Sequence, residues 1–460
     1  MSRVPAEDRI SPHTAVPNRL VQDYEAGIGI TPTSLVPTAD PAGALAATLP
    51  AWSLAAGSVT AFATAANRIR AVRGHDRVDH RIDPRRITAS FASDRVFRVD
   101  GASASPFAEL SGFFPTFDGW VRTHANYPHH HARLLTALRL AENAPTEAVI
   151  AQIAMSRAVE IERRAAAAGA IAVQVRTEHE WADSPQGRAA AAGPLVAVDP
   201  RADRAAPGLP TGATSAYPLH GVRVLDLTRV IAGPVATRAL ALLGAEVIRV
   251  DPPQLPEIPW QYADTCQGKR STQLNLRTQL PVFNDLLAAA DVLITGYRPG
   301  ALERAGLSVA PRPGLIHGSV SAWGDTGPWR ERRGFDSIVQ AASGIAIIEG
   351  APAVPGALPA QVLDHASGYL LAAGVVDALG ARSIDGVGRD VRVSLARTAS
   401  WLLASRDRTP GHPPATEPAA EETADDGKVV TALPALAEYA GYPWPAPAYG
   451  IDRPAWRLHA

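Results

Sequence analysis

The chain is 460 residues long and contains a single cysteine, Cys266. One thiol excludes an intramolecular disulfide framework and suits a reducing cytoplasm. With no paired histidine suggested nearby, it reads as a bystander rather than a catalytic thiol. No run of about 18 apolar residues is present, and the N-terminus shows no charged-then-apolar leader pattern. Neither a membrane span nor export is therefore expected, and the expected location is the cytoplasm. Lysine occurs only at Lys269 and Lys428, so the basic charge is nearly all arginine. The net charge of −1 gives no bulk attraction for nucleic acid or another polyanion. Neither GxGxxG nor a Walker loop follows the first strand-like run, which leaves a nicotinamide or ATP site without a motif.

What is present is an alternating pattern in residues 221–344. Val222-Arg-Val-Leu-Asp-Leu-Thr228 is a strand-like run, broken at Ala232-Gly233-Pro234 and followed by a helix-length segment to Leu243. A turn at Gly244 leads to a second strand-like run, Glu246-Val-Ile-Arg-Val250. Apolar runs flanking a helix predict a βαβ unit with a buried parallel sheet. Asp291-Val-Leu-Ile-Thr295 and Leu315-Ile-His-Gly-Ser-Val320 extend the pattern. The expected fold is α/β, an open Rossmann-like parallel sheet whose crevices lie at the carboxyl ends of its strands. The turns assigned to those ends, Thr228 to Pro234, Gly268-Lys269-Arg270-Ser271 and Gly296 to Gly300, combine glycine with basic residues. From the residues alone they suit either a ligand with several phosphates or ordinary solvated loops.

In order along the chain, Gly221-Val-Arg-Val-Leu-Asp-Leu-Thr-Arg-Val-Ile-Ala-Gly-Pro234, Leu243-Gly-Ala-Glu-Val-Ile248, Gly268-Lys-Arg-Ser271, Ala290-Asp-Val292, Arg298-Pro-Gly300, Gly306-Leu307 and Trp323-Gly-Asp-Thr-Gly-Pro328 resemble the class III CoA-transferase (CaiB/BaiF) family. The resemblance implies an enzyme that moves CoA from an acyl-CoA to a small carboxylic acid, with CoA as substrate and no metal. It also implies a homodimer.

The rest of the chain is read around that block. Residues 1–48, rich in Pro, Thr and Ala, are expected to form an irregular arm. Residues 49–109 carry an apolar helical stripe (Trp52, Ala55, Ala56, Val59, Phe62, Ala66), a break at Gly74 and a strand-like alternation from Arg77 to Ile82. They are expected to pack on the large domain. Ala55-Ala-Gly-Ser-Val59 to Thr88-Ala-Ser90 parallels Ala372-Ala-Gly-Val-Val376 to Thr398-Ala-Ser400, which suggests either a partial duplication or two similar Ala-rich segments. Residues 110–198 are read as a second, smaller α+β domain. It has a hairpin through Asp118-Gly119, a helix from Thr146, a strand over 169–175 and a helix over 178–190. Three adjacent histidines, His129 to His131, cannot all face one point and make a poor metal site. Residues 199–218 are expected to be a linker, 219–405 the CoA-binding α/β domain, and 406–460 a loop-rich extension. The small domain thus precedes the large one, the reverse of the order in the family.

Asp364 stands at the start of a long apolar helix, where a carboxylate can be a plain N-cap. The resemblance instead makes it the nucleophile, because Asp364-x-x-x-Gly368 matches the family's aspartate motif. Carried over residue by residue, the CoA contacts fall on Arg229, Ile231, Ala232, Leu274, Arg277, Gly296, Tyr297, Arg298, Arg304, Arg333 and Asp336. Racemases of the same family pair their aspartate with a histidine where this chain has Phe335, and proton transfer at an α-carbon needs a base on each face. His365 and His317 are the imidazoles that could replace it. A racemase and a non-catalytic CoA-binding protein remain as alternatives.

Overall fold

The computed structural model describes residues 16–32, 43–298, 300, 312–351 and 353–457. Its centre is a seven-stranded sheet of β1 (Ala197–Arg204), β2 (Arg223–Leu227), β3 (Glu246–Asp251), β4 (Arg270–Gln273), β5 (Val292–Thr295), β6 (Ile316–Ser321) and β7 (Val387–Ser394), in the order β1-β7-β6-β5-β2-β3-β4. Strands β2 to β7 are parallel, and β1 runs antiparallel on β7. The buried strands are the apolar runs expected from sequence: every residue of β3 and β5 is buried. From β2 the chain winds outward through β3 and β4. It then returns to β5 on the other side and winds through β6 to β7. The strand order therefore reverses between β2 and β5, and the turns leaving them diverge. Such a switch point opens a crevice at the strands' carboxyl ends.

Two corrections concern segments read as irregular. Residues 199–218 are not wholly a linker, because β1 occupies their first part. Pro200 is tolerated there since β1 is an edge strand, and Arg201, paired with Asp203 on the same strand (2.6 Å), ties it to β7 through Asp390 (2.9 Å). Within residues 1–48, helix α1 (Val16–Gly27) buries Leu20, Val21 and Tyr24. Its apolar spacing is hidden by the Pro- and Thr-rich composition around it.

Helix α2 (Ala51–Val72) lies along α5 (Val362–Asp385), and both are buried on nearly every face. The two run in the same direction: Phe62 meets Tyr369, with ring centroids 6.0 Å apart, and further along Arg68 clamps Asp377 with bonds of 2.7 Å. Helix α5 is long and apolar enough to cross a membrane. Its burial here identifies it as a core helix. The echoed pattern holds for the first and second helices but not for the paired glycines, because Gly388, the counterpart of Gly74, lies inside β7. The turns that follow α2 and α5 are made instead by Gly74 and Gly386, with φ of +73° and +72°. The strand is present only in the second copy, as β7. The expected strand from Arg77 to Ile82 joins no sheet, because the Asn67 side chain takes both backbone groups of Val78 (2.8 and 2.9 Å) in place of a neighbouring strand.

The small domain contains the expected hairpin (Phe113–Thr116, Gly119–Thr123) with Ala172–Gln174 as a third strand. The helix expected from Thr146 is divided into Thr146–Ala154 and Ala158–Ala168, and the one over 178–190 into Glu178–Asp183 and Pro185–Ala191. The C-terminal extension is loop-rich but fastened. Thr423–Asp425 and Val429–Ala432 join Arg98–Val99 and Ala102–Ser103 in a four-stranded sheet. Asp452 covers the edge of β4, accepting from the Ser271 N–H (2.9 Å) and donating its own N–H to the Ser271 carbonyl (2.8 Å).

Candidate active site

A cavity of about 280 Å³ fills the crevice between the turns after β2 and β5. Arg229, Ile231 and Ala232 line it from the first turn, and Gly296, Tyr297 and Arg298 from the second. Arg333 and Phe335 close one side, and Asp364 reaches it from the first turn of α5. Eight of the twelve site residues expected from sequence meet here.

Asp364 is not an N-cap. That role belongs to Asp336, at the start of α4 (Asp336–Ser343), whose carboxylate accepts the Asp364 backbone N–H at 3.0 Å and is also turned toward that of Leu363. Gln340 donates to the same carboxylate, and its own side-chain oxygen accepts the Leu358 N–H at 2.9 Å. With the helix end satisfied from outside, the Asp364 side chain is released into the cavity wall. Its Oδ2 is buried and has no hydrogen-bond partner among the described residues. Burial, and next the charge of Asp336, push its carboxyl well above the ordinary range. Burial also lifts Asp336, to about 6, against the donors that hold it.

The Asp364-x-x-x-Gly368 spacing has a packing cause. A Cβ on Gly368 would lie 2.6 Å from the Ala232 carbonyl oxygen and 2.9 Å from the Val235 side chain. Only glycine lets α5 approach α3 (Ala232–Leu242) at the point where both reach the cavity. Gly368→Ala is expected to cost about 1–3 kcal/mol by forcing these helices apart, measurable by chemical denaturation.

The turn after β2 is strained. Val230 has a φ of +68°, costly for a β-branched residue. It is held there by its N–H to Glu257 at 3.1 Å. Glu257 is a buried hub that also receives Arg249 (3.0 Å), Arg229 and the Tyr127 hydroxyl. Burial would raise its pKa, but Arg249 and Arg229 outweigh burial and hold the carboxyl near 2.

Of the remaining expected contacts, none that is described lines this cavity. Asp336 is fully buried behind the wall and does not line the cavity. Leu274 belongs to the core beside β3, and Arg277 is exposed beyond β4, two strands from the switch point. Arg304 lies outside the described residues. The Gly268 to Ser271 segment enters β4 rather than leaving it. Its Lys269 is a buried structural cation, bonded to Asp226 (3.2 Å) and the Pro234 carbonyl (2.9 Å). Cys266 is buried, and burial pushes its thiol pKa up. His365 packs tilted against Phe91, with ring centroids 5.1 Å apart, and does not line the cavity. His317 bonds Thr295 (3.1 Å) and faces Asp390.

Sequence reasoning missed the small domain's contribution. Tyr127, His129 and His130 line the cavity together with Asp364. Phe335, at the position of the racemase histidine, is covered by His124 stacking at 3.9 Å. Burial, chiefly, lowers His124 to about 3 and His130 to about 2, so both are neutral imidazoles. The signal for this wall is the run of aromatic and imidazole residues from His124 to His130, which the metal question alone does not exhaust.

Arg333 donates to the Gly169 carbonyl at 2.9 Å and forms no ion pair with a described carboxylate. Burial, then Arg298 and Arg133, lower its pKa to about 10. A guanidinium crowded by other cations and short of counter-charge fits a polyanionic ligand such as CoA.

An open, mostly parallel α/β sheet with a carboxylate in its switch-point crevice defines the class of protein. The family model for CoA-transferase family III matches residues 219–450, and the chain belongs to that family. It is 32% identical over 275 residues to a probable fatty acyl-CoA transferase of Mycobacterium tuberculosis, covering 52% of this chain and 70% of that protein. It is 32% identical over 207 residues to the succinyl-CoA–L-malate CoA-transferase alpha subunit of Chloroflexus aurantiacus, covering 40% and 48%. The crystal structure of a CaiB/BaiF family protein from Brucella suis aligns at 30% identity and a TM-score of 0.38, covering 41% of this chain and 56% of that one. The chain thus spans about half the length of the second relative and of the solved structure.

Proposed function

We propose that this chain moves CoA from an acyl-CoA to a carboxylic acid, with Asp364 as nucleophile. Asp364's oxygen attacks the thioester carbonyl, the C–S bond breaks, and an acyl-aspartyl anhydride forms with release of CoA thiolate. The thiolate attacks the aspartyl carbonyl, giving an aspartyl-CoA thioester and the first acid. A second carboxylate attacks that thioester, and the freed thiolate then takes the new acyl group and restores Asp364. Thioester free energy is conserved, so ATP is not needed.

The observation that supports this most directly is the buried Asp364 carboxylate, unpartnered at Oδ2 among the described residues, in a cavity rimmed by arginines. Burial raises the free energy of its anion, which favours attack on a neutral carbonyl and disfavours resting ionisation. Incubation with acyl-CoA and hydroxylamine, followed by mass spectrometry, is expected to show a hydroxamate at Asp364. Exchange of the acyl α-hydrogen without CoA transfer would indicate racemisation instead. CoA binding with no adduct would indicate a non-catalytic protein.

Arg333 and Arg298 are assigned to CoA phosphates, and Tyr297 to stacking on the nucleotide. Arg333→Ala is expected to weaken CoA binding by about ten- to a hundredfold, the worth of a charge-assisted hydrogen bond. Tyr297→Ala should weaken it less. Calorimetric titration checks both, and equal affinity for CoA and pantetheine would remove the phosphate assignment. We further propose a cytoplasmic homodimer. Sedimentation as a monomer at micromolar concentration would show instead that α2 gives α5, within one chain, the neighbour a second copy would supply.

A further inference from the structure

A second cavity, of about 410 Å³, lies beside the first and shares Tyr297, Arg298, Val320 and Ser321 with it. It sits over the carboxyl ends of β5, β6 and β7, where Thr295, Ser321 and Ser394 supply hydroxyls. Its far rim comes from the N-terminal half of the chain, at Gly193 and Pro194. The charged groups differ in their state. Arg392 is neutralised by Asp199 and by Asp325 at 2.9 Å. His317 faces Asp390. Arg397 is different: its Nε donates to the Gly193 carbonyl at 3.0 Å, and it forms no ion pair with a described carboxylate. The carboxylate that acts on it electrostatically, Asp23, is already bonded to the Trp401 indole at 2.9 Å. Burial lowers the pKa of this guanidinium, with Asp23 opposing. A half-buried cation facing a hydroxyl-lined cavity is a receptor short of an anion.

The proposed cycle explains why an anion would be needed there. Between the departure of one acid and the arrival of the next, CoA stays joined to Asp364. CoA then fills the first cavity, so acids need an opening that it does not block. The adjoining cavity, which shares Tyr297, Arg298, Val320 and Ser321 with the first, is such an opening.

We propose that the second cavity is a carboxylate-binding antechamber, in which Arg397 holds the acid co-substrate before it passes to Asp364. The proposal rests on the CoA-transfer reading. It is tested on the full chain by calorimetric titration with acetate, succinate and malate, each with and without saturating CoA. At least one acid is expected to bind in the presence of CoA. Arg397→Gln is expected to weaken that binding and raise the acid KM by about tenfold or more, the worth of one charge-assisted hydrogen bond. The KM for acyl-CoA and the hydroxylamine adduct at Asp364 should stay unchanged. Arg397→Lys, which keeps the charge, should recover part of the affinity and shows that the site still folds. Competition between acids and CoA for one site would overturn the proposal, as would acid binding indifferent to Arg397. Displacement of the acids by equimolar inorganic phosphate would overturn the carboxylate assignment. Arg397-dependent acid binding without any adduct at Asp364 would uphold the carboxylate site while removing the transfer reading.

Discussion

Asp364→Asn is expected to lower CoA transfer by about 10⁴-fold or more, the scale of losing a nucleophile, while CoA binding is retained. Asparagine keeps the shape of the side chain and the backbone N–H that Asp336 accepts at 3.0 Å, but it has no anion to attack a thioester. Rate, CoA affinity and the hydroxylamine adduct should separate cleanly, with the first and third lost and the second kept. The same substitution is expected to stabilise the fold at neutral pH. The Asp364 carboxyl has its pKa raised in the folded state, so the folded protein holds its proton more tightly than the unfolded chain. The sign follows: stability from this group is greatest at low pH and falls as pH rises from the unfolded pKa toward the folded one. The uncharged amide avoids that loss, so the variant's thermal midpoint should exceed the wild type's at pH 7, and the gap should narrow in acid. Retention of more than about a hundredth of the activity would remove Asp364 from the nucleophile's role.

Asp336→Asn is expected to be the second most damaging change, although Asp336 touches no substrate. Its carboxylate holds the first turn of α5 through the Asp364 N–H and is itself held by Gln340. An asparagine oxygen can still accept from Asp364, but its NH₂ then faces the Gln340 donor, which is committed by the Leu358 N–H to its present orientation. Leaving that buried donor unsatisfied costs about 1–3 kcal/mol. Displacement of the nucleophile by about 1 Å lowers kcat by roughly a hundredfold. The discriminating measurement is the pH profile. Asp364 is raised by burial and by the Asp336 charge. Removing that charge should move the acid limb of kcat/KM to lower pH. A rate loss with the limb in place would leave Asp336 a purely structural residue.

Much of the sheet is legible in the sequence because buried parallel strands are continuous apolar runs, as in Glu246 to Asp251 and Val292 to Thr295. Asp364, Arg229, Tyr297 and Arg298 are legible because the motifs that carry them are contiguous in the chain. Asp336 is found by its motif but with the wrong role, since its neighbourhood is set by α5, whose first turn lies 28 residues downstream. Edge strand β1 reads as linker because an exposed strand with Asp, Pro and Arg has no apolar alternation to follow. The region from Arg77 to Ile82 errs the other way, since alternation alone does not supply a strand neighbour.

The sequence by itself determined the parallel α/β core, the family, the nucleophile candidate and the glycine that lets its helix approach. These depend on local periodicity and on short motifs whose chemistry stays the same wherever the chain is placed. Only the tertiary structure decided which arginines share a cavity, that Tyr127, His129 and His130 of the small domain close it, and that Asp364 is freed from capping by Asp336. Those facts depend on strand order and on packing between residues far apart in the chain, such as Tyr127 and Asp364. Charge and burial act through space, so a sequence names the groups while the fold sets their partners.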